Sequence, residues 1–242
     1  TPSQPAEAPL AIAEPVEVPE PESASPPTAD QAAAPPEGAF LNASAALADL
    51  DSYRYSTLFT FVSEENGQVQ AGSVEIAGEI AGTDRKHLTW RDLGEDEHFE
   101  LIQVGGQAWM LDEGEWQAVP VVLAETMSQA VLVYAPAVAW QGVFAELGPT
   151  AEYVAMETVN GILAYHYRST VDRWGPYWTG EIQETSGDVW IADAGYPVKY
   201  YFSATGTDEE ANLGTVTWRM DLTDVNGDIT IEPPQGSPPS GS

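Results

Sequence analysis

Three histidines, His87, His98 and His166, are the side chains of this sequence that could serve as a neutral-pH proton carrier. Cysteine is absent, which removes thiolate nucleophiles, Cys-based zinc sites and disulfides together. Neither a Gly-x-Ser-x-Gly elbow nor a Ser-x-x-Lys pair occurs. His166 stands in Tyr165-His166-Tyr167-Arg168 within an alternating stretch, where a structural or surface role is expected. Asp221 and Glu232 flank Asp224-Val225-Asn226-Gly227-Asp228, which has some letters of a calcium loop. Gly227 lies one place late for that loop, however, and Thr223 and Val225 occupy ligand positions. An Asn-Gly hairpin turn joining two strands accounts for the same residues. The run from Gly94 to Glu100 reads as a solvated acidic turn rather than a metal site. Paired carboxylates for glycoside hydrolysis are numerous but not localised by sequence. The aromatic stretch Arg173-Trp174-Gly175-Pro176-Tyr177-Trp178 and the eight tryptophans leave a carbohydrate-binding face open, against ordinary packing. The chain is expected not to be an enzyme and to need no cofactor or metal.

The elements that must position any site come next. Residues 1–38 hold ten prolines, nine alanines and seven acidic residues with no Lys or Arg. Repeated X-Pro steps favour extended polyproline-like chain, and such a composition cannot offset its ordering entropy by burial. The segment is expected to be a disordered acidic tether reaching on the order of 100 Å at ~3.1 Å per residue. Residues 39–234 form the expected globular domain, and 235–242 a disordered tail. Residue 1 is not Met, so the numbering is expected to begin after a processing point.

Within the domain, Phe40, Ala43, Leu47 and Leu50 recur at helical spacing and predict a helix over 39–50. Tyr53, Tyr55, Thr57, Phe59 and Phe61 then alternate with Arg54, Ser56, Leu58 and Thr60, the period of a strand with one aromatic face. Asn66-Gly67 signals a hairpin. Further strands are expected at 68–80, 85–93, 98–104, 107–111, 115–119, 152–157, 162–171, 187–193, 196–204, 213–223 and 228–232. Residues 120–147 break the rhythm and predict a helical insert interrupted near Pro136. The fold class that results is α+β.

Thirty-eight acidic residues against eight basic ones give a net charge of −30, with lysine only at Lys86 and Lys199. Such a surface repels phosphate backbones and anionic headgroups, so no nucleic-acid partner is expected. No apolar run of about 18 residues is present to span a membrane as a helix. The remaining signal is apolar volume. The aromatic strand faces and the 120–147 insert predict either a filled core or a cavity for a hydrophobic ligand. The cavity would be lined by Tyr53, Tyr55, Phe59, Phe61, Met127, Val131, Leu132, Trp140, Phe144, Tyr200, Trp218 and Met220.

Several stretches, in order, resemble LolA/LppX-type bacterial envelope lipoproteins. They are Phe40 to Arg54, Ile102 to Leu111 followed by Gly114-Glu115-Trp116, Glu157 to Arg168, Gly187 to Lys199, and Val225 to Pro234. Residues 172–186 depart from that pattern as an aromatic, Gly/Pro-containing loop. The resemblance implies a strongly curved antiparallel β half-barrel with helices covering its concave face, and no catalytic residues. It also implies a lipidated cysteine preceding residue 1 as the only membrane contact.

The expectation is therefore a non-catalytic, exported, extracytoplasmic cell-surface lipoprotein, membrane-anchored and binding a hydrophobic or lipid ligand. The alternative is a structural or interaction subunit of a surface assembly, with a filled core and residues 1–38 packed on neighbours. A carbohydrate-binding module is the third reading.

Overall fold

The computed structural model describes residues 39–65, 67–95, 97–112, 114–132, 151–169, 181–207 and 212–236. The chain divides into two units, Thr1–Gln31 and Ala32–Ser242, and every described residue belongs to the second. Its elements in chain order are α1 (Ala39–Ala48), β1 (Ser52–Glu65), β2 (Gln68–Ala81), β3 (Arg85–Asp92), β4 (His98–Val104), β5 (Gln107–Asp112), β6 (Glu115–Val119), α2 (Val121–Leu132), β7 (Glu152–Val159), β8 (Ile162–Ser169), β9 (Glu181–Ala192), β10 (Pro197–Thr207) and β11 (Leu213–Thr223).

All eleven strands form one antiparallel, curved and open sheet, in the order β6-β5-β4-β3-β2-β1-β11-β10-β9-β8-β7. Each half is a meander of hairpins, and β1 and β11, the first and last strands, join the halves at the centre. Local chemistry explains the hairpins. Glu65 pairs with Gln68 across a two-residue turn whose Gly67 has φ 74°, a conformation that a side chain would strain. Register shifts interrupt β7–β8 and β9–β10, the irregularities that bend strands and add twist.

Alternation then divides the sheet into two chemically distinct faces. Tyr55, Thr57 and Phe59 of β1 pair with Leu222, Met220 and Trp218 of β11 and with Gly78, Ile76 and Val74 of β2. The same side continues through Tyr200 and Phe202, Val189 and Ile191, and Tyr165 and Tyr167 in one direction. In the other it runs through Leu88, Leu101 and Met110. These residues form one core, which Ala43 and Leu47 of α1 and Ala124 of α2 join. Tyr200, Phe202, Met220 and Leu222 are fully buried, each contributing about 1.5–3 kcal/mol over an exposed side chain.

Helix α2 begins where its sequence dictates. Pro120 supplies the carbonyl that accepts the Leu123 and Ala124 amides at 2.9 and 3.1 Å, and the proline needs no donor of its own there. Val121, Ala124 and Ser128 lie along its inward side, while Val122 and Glu125 face out. The predicted insert is thus helical over Val121–Leu132; its remainder to 147, the break near Pro136 included, lies outside the described residues.

Three sequence expectations need correction. The loop placed at 172–186 is already strand from Glu181, paired with β10 from Thr207↔Glu181 onward. Alternation is weak there because Glu181, Gln183 and Glu184 are exposed polar residues at the far end of a hairpin. The strand expected at 228–232 does not form. Ile229 and Ile231 instead lay their side chains across the opposite face of the sheet, on Ile102, Trp109 and Trp116, and the Ile231 carbonyl accepts from Arg85 Nη1 at 3.1 Å. Alternation there marks burial against a sheet, not membership of it. Consequently Asn226-Gly227 is a turn leaving β11, with Asn226 at φ 52°, and does not join two strands.

The buried tyrosines carry a pH dependence. Burial pushes the Tyr55 and Tyr200 phenols up, and pushes Tyr167 up to about 12. A raised folded value means that the fold favours the neutral phenol. That stability is fully present below the unfolded value of about 10 and is lost as pH rises toward 12. In an alkaline titration, part of the tyrosinate absorbance should therefore appear together with loss of near-UV circular dichroism above about pH 10. Smooth ionisation of all ten tyrosines with the near-UV signal intact would contradict this.

Candidate ligand-binding site

Strands β1, β11 and β10 lie side by side, and their alternation brings the predicted aromatic residues onto one surface. Phe59 pairs with Trp218 and Tyr200 with Met220. Trp218 makes edge contacts with Phe59 at 6.0 Å and 87° and with Tyr200 at 6.1 Å and 84°, near the preferred geometry of aromatic pairs. Tyr53 and Tyr55 stand 6.3 Å apart at a 40° tilt. Small residues on β2 make room for the rings: Gly78 lies under Tyr55, and Gly72 lies under Phe61, where an added Cβ would meet Cε1 at 2.5 Å.

Exposure is graded along this surface. Tyr55, Tyr200, Trp218 and Met220 are buried, Tyr53 and Phe59 are half-buried, and Phe61 is 38% exposed. One end of the aromatic strip is therefore packed and the other presents ring surface. Met127 is half-buried on α2. Val131 and Leu132 fall within α2, whereas Trp140 and Phe144 lie outside the described residues. The structure thus brings together the seven members from β1, β10 and β11: Tyr53, Tyr55, Phe59, Phe61, Tyr200, Trp218 and Met220.

Sequence reasoning missed the polar members of this face. Lys86 pairs with Ile80 on one side and Gln103 on the other, two residues along from Leu88 and Leu101, so it sits on the core side. Gln103 and Ser128 of α2 are buried, at 9% and 1% exposure. The signal was present: Lys86-Leu88-Trp90 and Phe99-Leu101-Gln103 each place one polar residue in the apolar register.

The chemistry-bearing residues of the opposite face are engaged with one another. His166 is held between Glu157 (Nδ1–Oε1 3.0 Å) and Asp188 (Nε2–Oδ1 2.7 Å) and stacks on Trp190 at 4.3 Å. His87 lies between Glu79 at 3.3 Å and Glu100 at 2.6 Å. Arg54 bridges Glu79 at 2.6 Å and Asp224 at 2.7 Å. Burial pushes the Glu79 carboxyl up, but the hydrogen bonds from Arg54 and His87 outweigh it and hold it below the usual range. The apparent calcium loop is accounted for in the same way. Asp221 pairs with Arg219 at 2.7 Å, Asp224 with Arg54, and the Asn226 side chain accepts the Asp51 amide at 3.0 Å.

Among the described residues, no group of three or more acidic and histidine side chains is arranged to hold a metal ion. Of the acidic turn expected from Gly94 to Glu100, residues 98–100 are already strand β4; the turn before them is organised by Asp92, whose carboxylate accepts the Gly94 and Glu95 amides at 2.8 and 3.2 Å. A groove of about 310 Å³ beside it is lined by Arg91, Asp92, Leu93, Glu97 and His98, and one of about 700 Å³ at β6 by residues 114–118, Gln235 and Gly236. Neither includes a residue of the aromatic strip.

Neither protein-family comparison nor comparison with curated proteins finds a match to this chain. Solved structures do match. A LolA superfamily protein from Nitrosomonas europaea has 10% identity over 78% of this chain and 94% of its own, at a TM-score of 0.28. A DUF1329 family protein from Desulfovibrio piger has 10% identity over 82% and 95%, at 0.23. A domain from Vibrio parahaemolyticus, described as outer membrane lipoprotein-sorting, has 8% identity over 73% and 87%, at 0.24. The solved structures that this chain is similar to thus include a LolA superfamily protein and a domain described as outer membrane lipoprotein-sorting.

Proposed function

We propose that this protein is a non-catalytic, extracytoplasmic binding protein that holds a hydrophobic or lipidic ligand against the aromatic face of its sheet. The observation that carries the reading is the gradient along β1. Packing is complete at Tyr55, partial at Phe59 and open at Phe61, so a fixed core and a surface for an apolar guest occupy one continuous strip. Ligand sites are mostly apolar with few polar groups, and this strip fits that description. In this reading the sheet is a half-barrel and α1 and α2 lie over its concave side. Residues 1–38 tether the domain, through a lipid-modified residue preceding them, to a cell surface. The reading requires no chemistry from the protein: His87 and His166 serve as cross-strand pairs on the other face.

Native mass spectrometry of the gently extracted protein, with titration of an anthroyloxy-labelled fatty acid, tests this. A co-purifying lipid mass, or saturable micromolar fluorescence enhancement reduced by Phe61→Ser, is the expected result. A ligand-free spectrum with no probe binding would leave the filled-core subunit as the better account, supported by the complete burial of Tyr200, Phe202, Met220 and Leu222.

A further inference from the structure

The strongly acidic chain has two lysines, and they are used in opposite ways. Lys199 lies on the outer face, 3.8 Å from Asp221 and 5.2 Å over the Trp190 ring. Lys86 lies on the core face between Ile80 and Gln103. Among the described residues it has no hydrogen bond and no ion pair; Glu125, exposed on α2, acts on it only through space. Placing an ammonium on an apolar face without a partner is costly, and burial does push the Lys86 amine down. Two buried polar atoms share the surroundings. Among the described residues, Gln103 Oε1 and Ser128 Oγ find no hydrogen-bond partner, although buried polar atoms are nearly always satisfied. Helix α2, which carries Ser128, packs on β4 and β5, and Gln103 pairs with Ala108 of β5. The half-buried Lys86 and the buried Gln103 are thus cross-strand neighbours on the face that α2 packs against, and Ser128 is buried on the inward side of that helix.

We infer that Lys86, Gln103 and Ser128 form a polar anchor beneath α2 that receives the carboxylate of a long-chain fatty acid. The inference rests on the ligand-binding reading above and names its ligand class. A carboxylate only accepts, so the patch must meet it with donors. The ammonium offers charge-assisted donation to one oxygen and Ser128 a hydroxyl to the other, while the Gln103 amide turns its Nε2 to donate to the head and leaves its Oε1 to accept from the Lys86 ammonium. Beyond the anchor the same face passes the buried Leu88 and Leu101 and reaches the half-buried Trp90 and Phe99, whose rings stack at 5.9 Å and 20° and keep the exposure that a bed for the acyl chain needs. It also reconciles an anionic ligand with a net charge of −30, since the carboxylate meets the one lysine on this face and not the acidic exterior.

The test compares oleate with methyl oleate, its uncharged ester, on the full chain. The native protein should bind oleate about tenfold more tightly, the worth of one charge-assisted hydrogen bond. Lys86→Met should erase that preference, leave methyl oleate binding unchanged and keep or raise the melting temperature, while Lys86→Arg should retain it. Gln103→Leu, which fills similar space without polar atoms, is the second variant and should weaken oleate binding more than ester binding. Equal binding of the two probes by the native protein, or a preference that survives Lys86→Met, overturns the anchor alone. Binding of neither probe overturns the anchor together with the wider ligand-binding reading.

Discussion

A Gly78→Val chain should unfold at a temperature about 6–12 °C lower, a loss of about 3 kcal/mol. Gly78 sits directly across from Tyr55 on the neighbouring strand. A Cβ at residue 78 would press against Cε1 and Cζ of the Tyr55 ring, closer than van der Waals contact allows. The ring cannot swing aside, because Tyr55 is only 6% exposed and its other strand neighbour is the fully buried Leu222. The strain would pass into the central β1–β2 and β1–β11 pairings, which join the two halves of the sheet. Gly106→Ala is the control, since nothing lies within 4 Å of a Cβ built there, and it should change stability by less than about 0.5 kcal/mol. Combining Gly78→Ala with Tyr55→Leu should cost less than the sum of the two, the sign of a shared steric contact. Equal losses at positions 78 and 106, measured by thermal or urea unfolding, would refute the packing argument.

This glycine shows what a single sequence does and does not disclose. The alternation Tyr53-Tyr55-Thr57-Phe59-Phe61 made β1 and its aromatic face legible, because period two follows from the pleat alone. Asn66-Gly67 likewise marked the β1–β2 connection. What could not be read was which strand lies beside which. The pairing of β1 with β11 joins residues such as Tyr55 and Leu222, far apart in the chain, and nothing local encodes it. That Leu222 closes off the Tyr55 ring therefore does not show in the sequence, although the pairing of Tyr55 with Gly78 follows from the two-residue hairpin turn. The same gap explains the C-terminal error. Ile229 and Ile231 alternate like a strand, yet their apolar partners are on the outer face of β4 and β5, and periodicity does not distinguish pairing with an edge from lying across a face. Lys86 and Gln103 were legible in principle, as polar intrusions into an apolar register. They became informative once the register placed them opposite each other.

Trp218→Ala should be the most costly truncation of the aromatic strip, and it discriminates between a filled core and a binding surface. Trp218 is 5% exposed and is the ring that both Phe59 and Tyr200 meet edge-on. Replacing a buried tryptophan by alanine costs about 3–5 kcal/mol through lost burial and the cavity left behind. For a chain of this size that lowers the melting temperature by roughly 6–20 °C. If the strip is only a core, oleate should stabilise neither the native protein nor the variant. If it binds an apolar guest, the native protein should gain about 2.7 kcal/mol at a hundredfold excess of ligand over Kd. The variant should gain at least as much, because Trp218 stands opposite Phe59, two residues along β1 from the exposed Phe61, so the vacated space lies next to the open end of the strip. Ligand-dependent shifts in melting temperature for both proteins, with Phe61→Ser as a third, less destabilised comparison, therefore separate the two readings. A Trp218→Ala chain destabilised as expected but indifferent to oleate, beside a native protein equally indifferent, would assign the aromatic strip to packing alone.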